Sequence, residues 1–170
     1  MRKIFALTLI AISFASISFA QKDGTRFSGG VELGFPTGSF GDVSTFGIGA
    51  SLQAEHFFQE NVSGTVYFGF LDYFGKSISS SVKYKATTIL PLRIGARYYI
   101  GDGLHLGAQL GVGFISSPFS STTGFAYSPQ IGYNFKTNKG KAVDLTFKYD
   151  GYAVSGGSLS ALGIRAAYIF

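Results

Sequence analysis

The chain has no cysteine and only two histidines among its 170 residues. A disulfide and a lipoprotein anchor are therefore excluded, and a metal site would have to be built from histidines and carboxylates. His56 and His105 lie far apart in sequence, so no metal and no cofactor is expected. Charged residues make up 14% of the chain. Beyond the N-terminal leader no run of 18 apolar residues occurs, which argues against a helical membrane span. No helical period or heptad stands out. Glycines such as Gly107, Gly111 and Gly113 fall within a strand pattern and precede no helix, so they do not form a nucleotide-binding loop.

The leader is the first feature present. Arg2 and Lys3 are followed by the apolar stretch 4–15 and by Ser18-Phe19-Ala20, small residues one and three positions before a cut. This pattern predicts a Sec signal peptide over 1–20, cleaved between Ala20 and Gln21. A transmembrane anchor is the competing reading, disfavoured by the shortness of the stretch. Residues 21–170 then form one domain. Removing Arg2 and Lys3 lowers the formal charge from +5 to +3, so part of the basicity belongs to the leader. No nucleic-acid partner is expected.

The 24 glycines, 18 phenylalanines and 10 tyrosines are the second feature. Period-2 alternation predicts eight strands at 26–35, 45–57, 62–72, 87–99, 104–114, 124–136, 142–152 and 159–170. In the seventh, Val143, Leu145, Phe147 and Tyr149 face one way, and Asp144, Thr146, Lys148 and Asp150 the other. Each strand is long enough to cross a bilayer at a tilt. The connections 58–61, 100–103 and 137–141 are short. Those at 36–44, 73–86, 115–123 and 153–158 are mostly longer and rich in Ser, Gly and Thr. An outer-membrane barrel has this asymmetry, with short periplasmic turns and longer outer loops.

The last strand closes the argument. Leu162, Ile164, Ala166, Tyr168 and Phe170 form one apolar face. Left as an edge it would invite aggregation, whereas in a closed barrel it pairs with the first strand. The expected fold is therefore all-β, an eight-stranded antiparallel up-and-down transmembrane β-barrel. Phe58, Tyr98, Tyr133, Phe135, Tyr168 and Phe170 would ring its periplasmic end. Phe35, Phe46, Phe70, Phe114, Phe125 and Tyr149 would ring its outer end. A soluble barrel would crowd these rings into one narrow core. Pro91 and Pro129 cannot donate to a ladder, so a bulge or a local break is expected at each.

Residues 36–42, Pro-Thr-Gly-Ser-Phe-Gly-Asp, and 46–55, Phe-Gly-Ile-Gly-Ala-Ser-Leu-Gln-Ala-Glu, resemble the first outer loop and second strand of small outer-membrane β-barrel proteins common in Bacteroidota. These are described as porin-like or OmpA/OmpX-like barrels. The ending Tyr168-x-Phe170 resembles the C-terminal signal read by the barrel-assembly machinery. The resemblance implies the outer membrane of a Gram-negative bacterium and contact with its lipid. It specifies no activity.

The inward candidates are Glu32, Gln53, Glu55, Tyr67, Arg93, Arg97, His105, Gln109, Gln130, Asn134, Asp144, Lys148, Asp150 and Arg165. Glu32, Glu55, Arg93, Arg97, Asp144, Lys148 and Arg165 form the expected lumen cluster, with a Glu32–Arg165 contact across the closing seam. These side chains either line a pore or fill the lumen with ion pairs, and the narrow interior favours the second. The inward glycines Gly47, Gly49, Gly95, Gly107, Gly111 and Gly163 would favour a passage. His56 reads as an interfacial residue and His105 as a lumen hydrogen-bonder, so no enzymatic role is expected. Lys76, Lys83 and Lys85 in the loop 73–86 suit lipopolysaccharide phosphates or a surface partner. The expected role is structural or surface-interacting for a monomeric barrel with a plugged lumen. The alternative is a narrow porin or small-solute transport barrel.

Overall fold

A computed structural model describes residues 24–79, 82–118, 120–137 and 141–170. The expected cleavage site at Ala20 and Gln21 lies outside the described residues, as does the side chain of Lys83.

Among the described residues, eight long antiparallel strands close into one barrel. They are β1 (Thr25–Thr37), β2 (Ser44–Gln59), β3 (Val62–Gly75), β6 (Thr87–Ile100), β7 (Leu104–Ser117), β8 (Ser120–Lys136), β9 (Ala142–Val154) and β10 (Gly157–Ile169). Two short strands, β4 (Ser77–Ser79) and β5 (Val82–Lys83), pair in the loop between β3 and β6. One five-residue helix, α1 (Ser39–Val43), follows β1. Each strand pairs with its neighbours in chain order. The last pairs with the first, from Ser28 opposite Ile169 to Thr37 opposite Ser160.

Alternation decides which face points where. Val31, Leu33, Phe35, Leu92, Ile94, Tyr98, Phe147 and Leu162 point outward and are exposed. Glu32, Arg93, Arg97, Lys148 and Arg165 point inward and are buried. A water-soluble barrel has the opposite polarity. The outward face is a continuous apolar surface with aromatic rings towards both ends, far beyond what a soluble monomer leaves open.

Both prolines sit where the ladder is interrupted without a change of register. Pairing of β3 with β6 skips from Phe68–Leu92 to Leu71–Ile89, passing over Pro91. Pairing of β8 with β9 skips from Tyr127–Gly151 to Gln130–Lys148, passing over Pro129. On the other side each proline keeps a partner in β7, Gly113 for Pro91 and Ala108 for Pro129. A proline lacks the N–H that one neighbour needs, so only that ladder opens. A bulge does occur in β2 between Ser44 and Gly47, where both Thr45 and Phe46 face outward.

Two expected long loops are shorter. β7 runs to Ser117 and β8 starts at Ser120, leaving 118–119 as the connection. β9 and β10 meet at Ser155-Gly156, with Gly156 at φ 91° in the left-handed region. The Ser- and Thr-rich stretches around these turns belong to the strands, which pair to their ends. The asymmetry between the barrel's ends thus rests on the loops 38–43 and 76–86. The first was expected as open loop and instead folds into α1 over the barrel mouth.

Candidate functional site in the barrel lumen

The inward face of every long strand delivers polar side chains to a shared interior. Arg93, Arg97, Arg165, Tyr67, Glu32, His105 and Gln109 are all below 2% exposed. Four cations and four carboxylates meet there: Arg93, Arg97, Lys148 and Arg165 with Glu32, Glu55, Asp144 and Asp150. Every one has an opposite charge within 4 Å, as burial in a low dielectric demands.

The charges form two clusters and a bridge. Nearer the chain termini, Arg97 Nη1 lies 2.7 Å from Asp144 Oδ2 and 3.7 Å from Glu55 Oε2. His105 Nε2 is 3.2 Å from the same Asp144 oxygen. Ser63 and Tyr99 donate to Glu55 at 2.5 and 2.7 Å, and Thr146 donates to Asp144. At mid-height, Arg93 Nη1 meets Asp150 Oδ1 at 2.5 Å, and Ser128 donates to that oxygen at 2.9 Å. Lys148 Nζ reaches Glu32 at 2.5 Å and Asp150 at 3.3 Å. Tyr67 donates to Glu32 at 2.9 Å, and the Arg93 guanidinium lies 4.6 Å from its ring centre. Arg165 joins the clusters, 3.5 Å from Glu32 and 3.9 Å from Asp144, while donating to Ser51 and Ser28. The Glu32–Arg165 contact expected across the seam is present, and the two residues are direct partners in the ladder.

The inward glycines lie against neighbouring groups. A Cβ on Gly47 would stand 2.6 Å from the Tyr73 ring, and one on Gly34 would stand 2.5 Å from its hydroxyl. At Gly163 the stem of Lys148 lies 2.9 Å away, and at Gly107 the Arg97 Cγ lies 3.0 Å away. At Gly47 and Gly163 a large side chain from a neighbouring strand takes up the space, whereas at Gly49, Gly95 and Gly111 a Cβ would first meet a neighbouring backbone carbonyl.

Towards the loop end the lumen turns apolar. Leu71, Tyr73, Ile89, Ile115, Ala126, Tyr152 and Ala161 form a buried cluster. Phe40 of α1 drops into it, 2% exposed, with its ring edge-on to Tyr73 at 4.9 Å. Sequence reasoning missed this stopper. Tyr73 and Tyr152 share the inward parity of Leu71 and Asp150, so alternation carried a signal for them. Nothing local marks Phe40, which lies on the five-residue α1 and packs against the apolar cluster. Tyr99 was likewise legible from the parity of Arg97.

At the terminus end a vestibule of about 950 Å³ opens, lined among others by Arg26, Tyr99, Asn134, Lys136 and Lys141. His56 lies outside, exposed, with Nδ1 2.8 Å from Thr25 Oγ1. Tyr168 and Phe170 pack edge-on at 5.6 Å, and the Phe170 amide donates to Phe27 O at 3.0 Å. In the loop, Lys76 is exposed and donates to Gly41 O at 3.4 Å, and Lys85 is exposed. Among the described residues, no group of three His, Asp or Glu side chains is arranged to hold a metal. No described helix is long and apolar enough to cross a membrane.

The fold and this interior define a class, the small closed eight-stranded antiparallel barrel with apolar outside and polar inside. Solved structures of that class resemble the chain. Ail, the attachment invasion locus protein of Yersinia pestis, is 18% identical, with a TM-score of 0.59 over 87% of this chain and 99% of its own. Neisserial surface protein A is 14% identical, with a TM-score of 0.67 over 86% and 96%. The outer membrane protein OprG of Pseudomonas aeruginosa is 13% identical, with a TM-score of 0.53 over 88% and 97%. No family model matches the sequence, and no curated protein does. At these identities the likeness is one of fold.

Proposed function

We propose that this chain is an integral outer-membrane β-barrel protein of a Gram-negative bacterium. Its closed, charge-filled lumen serves stability, and its outer loops serve surface interaction. The observation that carries the reading is the lumen itself: four cations paired with four carboxylates, beneath an apolar stopper. A conducting pore needs mobile water beside such charges, and these side chains are shielded from solvent. The apolar exterior fits hydrocarbon, and the aromatic rings towards both ends fit the membrane–water boundaries. The barrel acts as a monomer with no enzymatic role. The closer kinship with OmpA/OmpX-like barrels of Bacteroidota, and the reading of Tyr168 and Phe170 by the assembly machinery, belong to the same proposal.

The surface role rests on Lys76, Lys83 and Lys85 around the β4–β5 hairpin, beside the mouth that α1 covers. These lysines suit phosphates of lipopolysaccharide or an anionic surface partner. Ail has been solved with the heparin analogue sucrose octasulfate, a neighbour with an anionic ligand. The second reading, a narrow porin or small-solute transport barrel, draws on the vestibule at the terminus end. Single-channel recording of the refolded protein separates the two. A silent bilayer is the expected result. Steady openings that change with Arg93→Ala or Arg97→Ala would establish the porin.

A further inference from the structure

The outward face is not uniform. Where β1, β2 and β3 run side by side, a groove of about 290 Å³ is cut into it, lined by Phe27, Leu52, Ala54, Val66, Phe68 and Phe170. It exists because small residues lie beside large ones. Ala54 is opposite Phe27 in the ladder, and Gly29 is opposite Leu52. Leu52 and Phe170 close over Gly29, reaching 3.5 and 3.7 Å from where its Cβ would stand. The hollow is roughly twice the ~150 Å³ cavity that takes up a benzene molecule. That is room for a stretch of acyl chain.

Beyond the Ala54 end of the groove, outside its lining, lies a polar pair. His56 follows Ala54 on the same face of β2, about 7 Å further towards the terminus end. It pairs with Thr25 across the ladder, and their side chains meet at 2.8 Å. Phe58 holds the His56 ring edge-on at 5.3 Å. In the tautomer in which Thr25 donates to Nδ1, the exposed His56 ring carries its proton on Nε2. An apolar slot followed by an exposed imidazole, a donor in that tautomer, matches an acyl chain continued by a phosphate.

We propose that this groove is a seat for one phospholipid of the periplasmic leaflet, with an acyl chain against Ala54 and the phosphate at His56. The inference rests on the reading that the barrel spans a membrane.

The full chain is refolded into vesicles of phosphatidylethanolamine and phosphatidylglycerol. These are doped with a phosphatidylethanolamine bearing a diazirine in one acyl chain, irradiated, and the labelled peptides mapped by mass spectrometry. Labelling of the groove is expected to exceed that of the opposite wall at Leu110 and Val112 by about tenfold. Ala54→Phe fills the slot and removes the excess, whereas Leu110→Phe leaves it intact. A diazirine diacylglycerol, which lacks the phosphate, labels the groove less than the phospholipid does, and His56→Leu abolishes that difference. Even labelling around the barrel, or an excess that survives Ala54→Phe, overturns the seat. Cross-links from the groove to a second copy of the chain overturn it in favour of a dimer contact. Insertion is read separately, from protease resistance in the vesicles. A chain that fails to insert sinks the membrane reading, and an inserted chain with even labelling sinks only the seat.

Discussion

From the terminus end up to Asp150 the barrel interior is held by ions and hydrogen bonds. Beyond Leu71 and Ile89 it is held by rings and aliphatic chains. Both regions line the same narrow cylinder, and the side chains of both are buried. They differ in how a fault propagates. Each buried charge depends on named partners, and removing one upsets the charge balance of the others in its cluster. The apolar stopper depends on volume and contact area, which a neighbour can partly restore by shifting. The charged region links strands that are not neighbours in the sheet, because its pairs cross the lumen. Arg93 on β6 meets Asp150 on β9, and Lys148 on β9 meets Glu32 on β1. The apolar cluster contributes packing that another bulky apolar group could make.

Asp144 gives the strongest test of that contrast. It faces Arg97, Arg165 and His105 at once. Asp144→Leu should cost about 3–5 kcal/mol in urea unfolding from lipid vesicles. Adding Arg97→Leu should recover part of the loss. A single substitution that costs under about 1 kcal/mol would mean that water reaches the cluster and screens it. Phe40→Ala should follow at about 2–3 kcal/mol or less, because α1 can settle into the gap. Its amide exchange should rise in residues 38–43 and stay slow in the strands. An equal rise throughout the barrel would show the stopper to be as cooperative as the ion clusters.

Gly47→Ala comes next, at about 1–3 kcal/mol in the same unfolding measurement, because the new methyl would displace the Tyr73 ring. Tyr73→Leu in the same chain should relieve much of this strain, and no relief would place the strain in the backbone. Tyr73→Phe should change least, within about 1 kcal/mol, since the buried Tyr73 hydroxyl has no hydrogen-bond partner. A marked loss there would reveal a polar contact inside the apolar region and blur the boundary between the two. Charge reversal of Lys76, Lys83 and Lys85 should leave folding unchanged and reduce lipopolysaccharide binding in a pull-down. Unchanged binding would remove the lysines from the surface role.

The strands were legible because alternation is local. A residue's parity sets its face, and Glu32, Arg93, Asp144 and Lys148 could be placed inward from the sequence with no knowledge of their partners. The closing contact of Glu32 with Arg165 followed once the first and last strands were taken as neighbours. The loops were less legible. Ser, Gly and Thr at 115–123 and 153–158 have turn-like composition, yet at a barrel rim they serve equally well in strands paired to their ends. Helix α1 was missed because five residues carry too little periodicity, and its lumen contact is made by one ring.

The sequence by itself determined two faces, eight strands and the chemistry of each face, because side-chain direction in a strand follows from period 2 alone. Only the tertiary structure decided which charge meets which, where the interior turns from polar to apolar, and that Gly34, Gly47 and Gly163 make room for Tyr73 and Lys148. Those outcomes depend on the stagger of strands far apart in the chain. A lumen contact joins residues across the cylinder, and no short stretch of sequence encodes that distance.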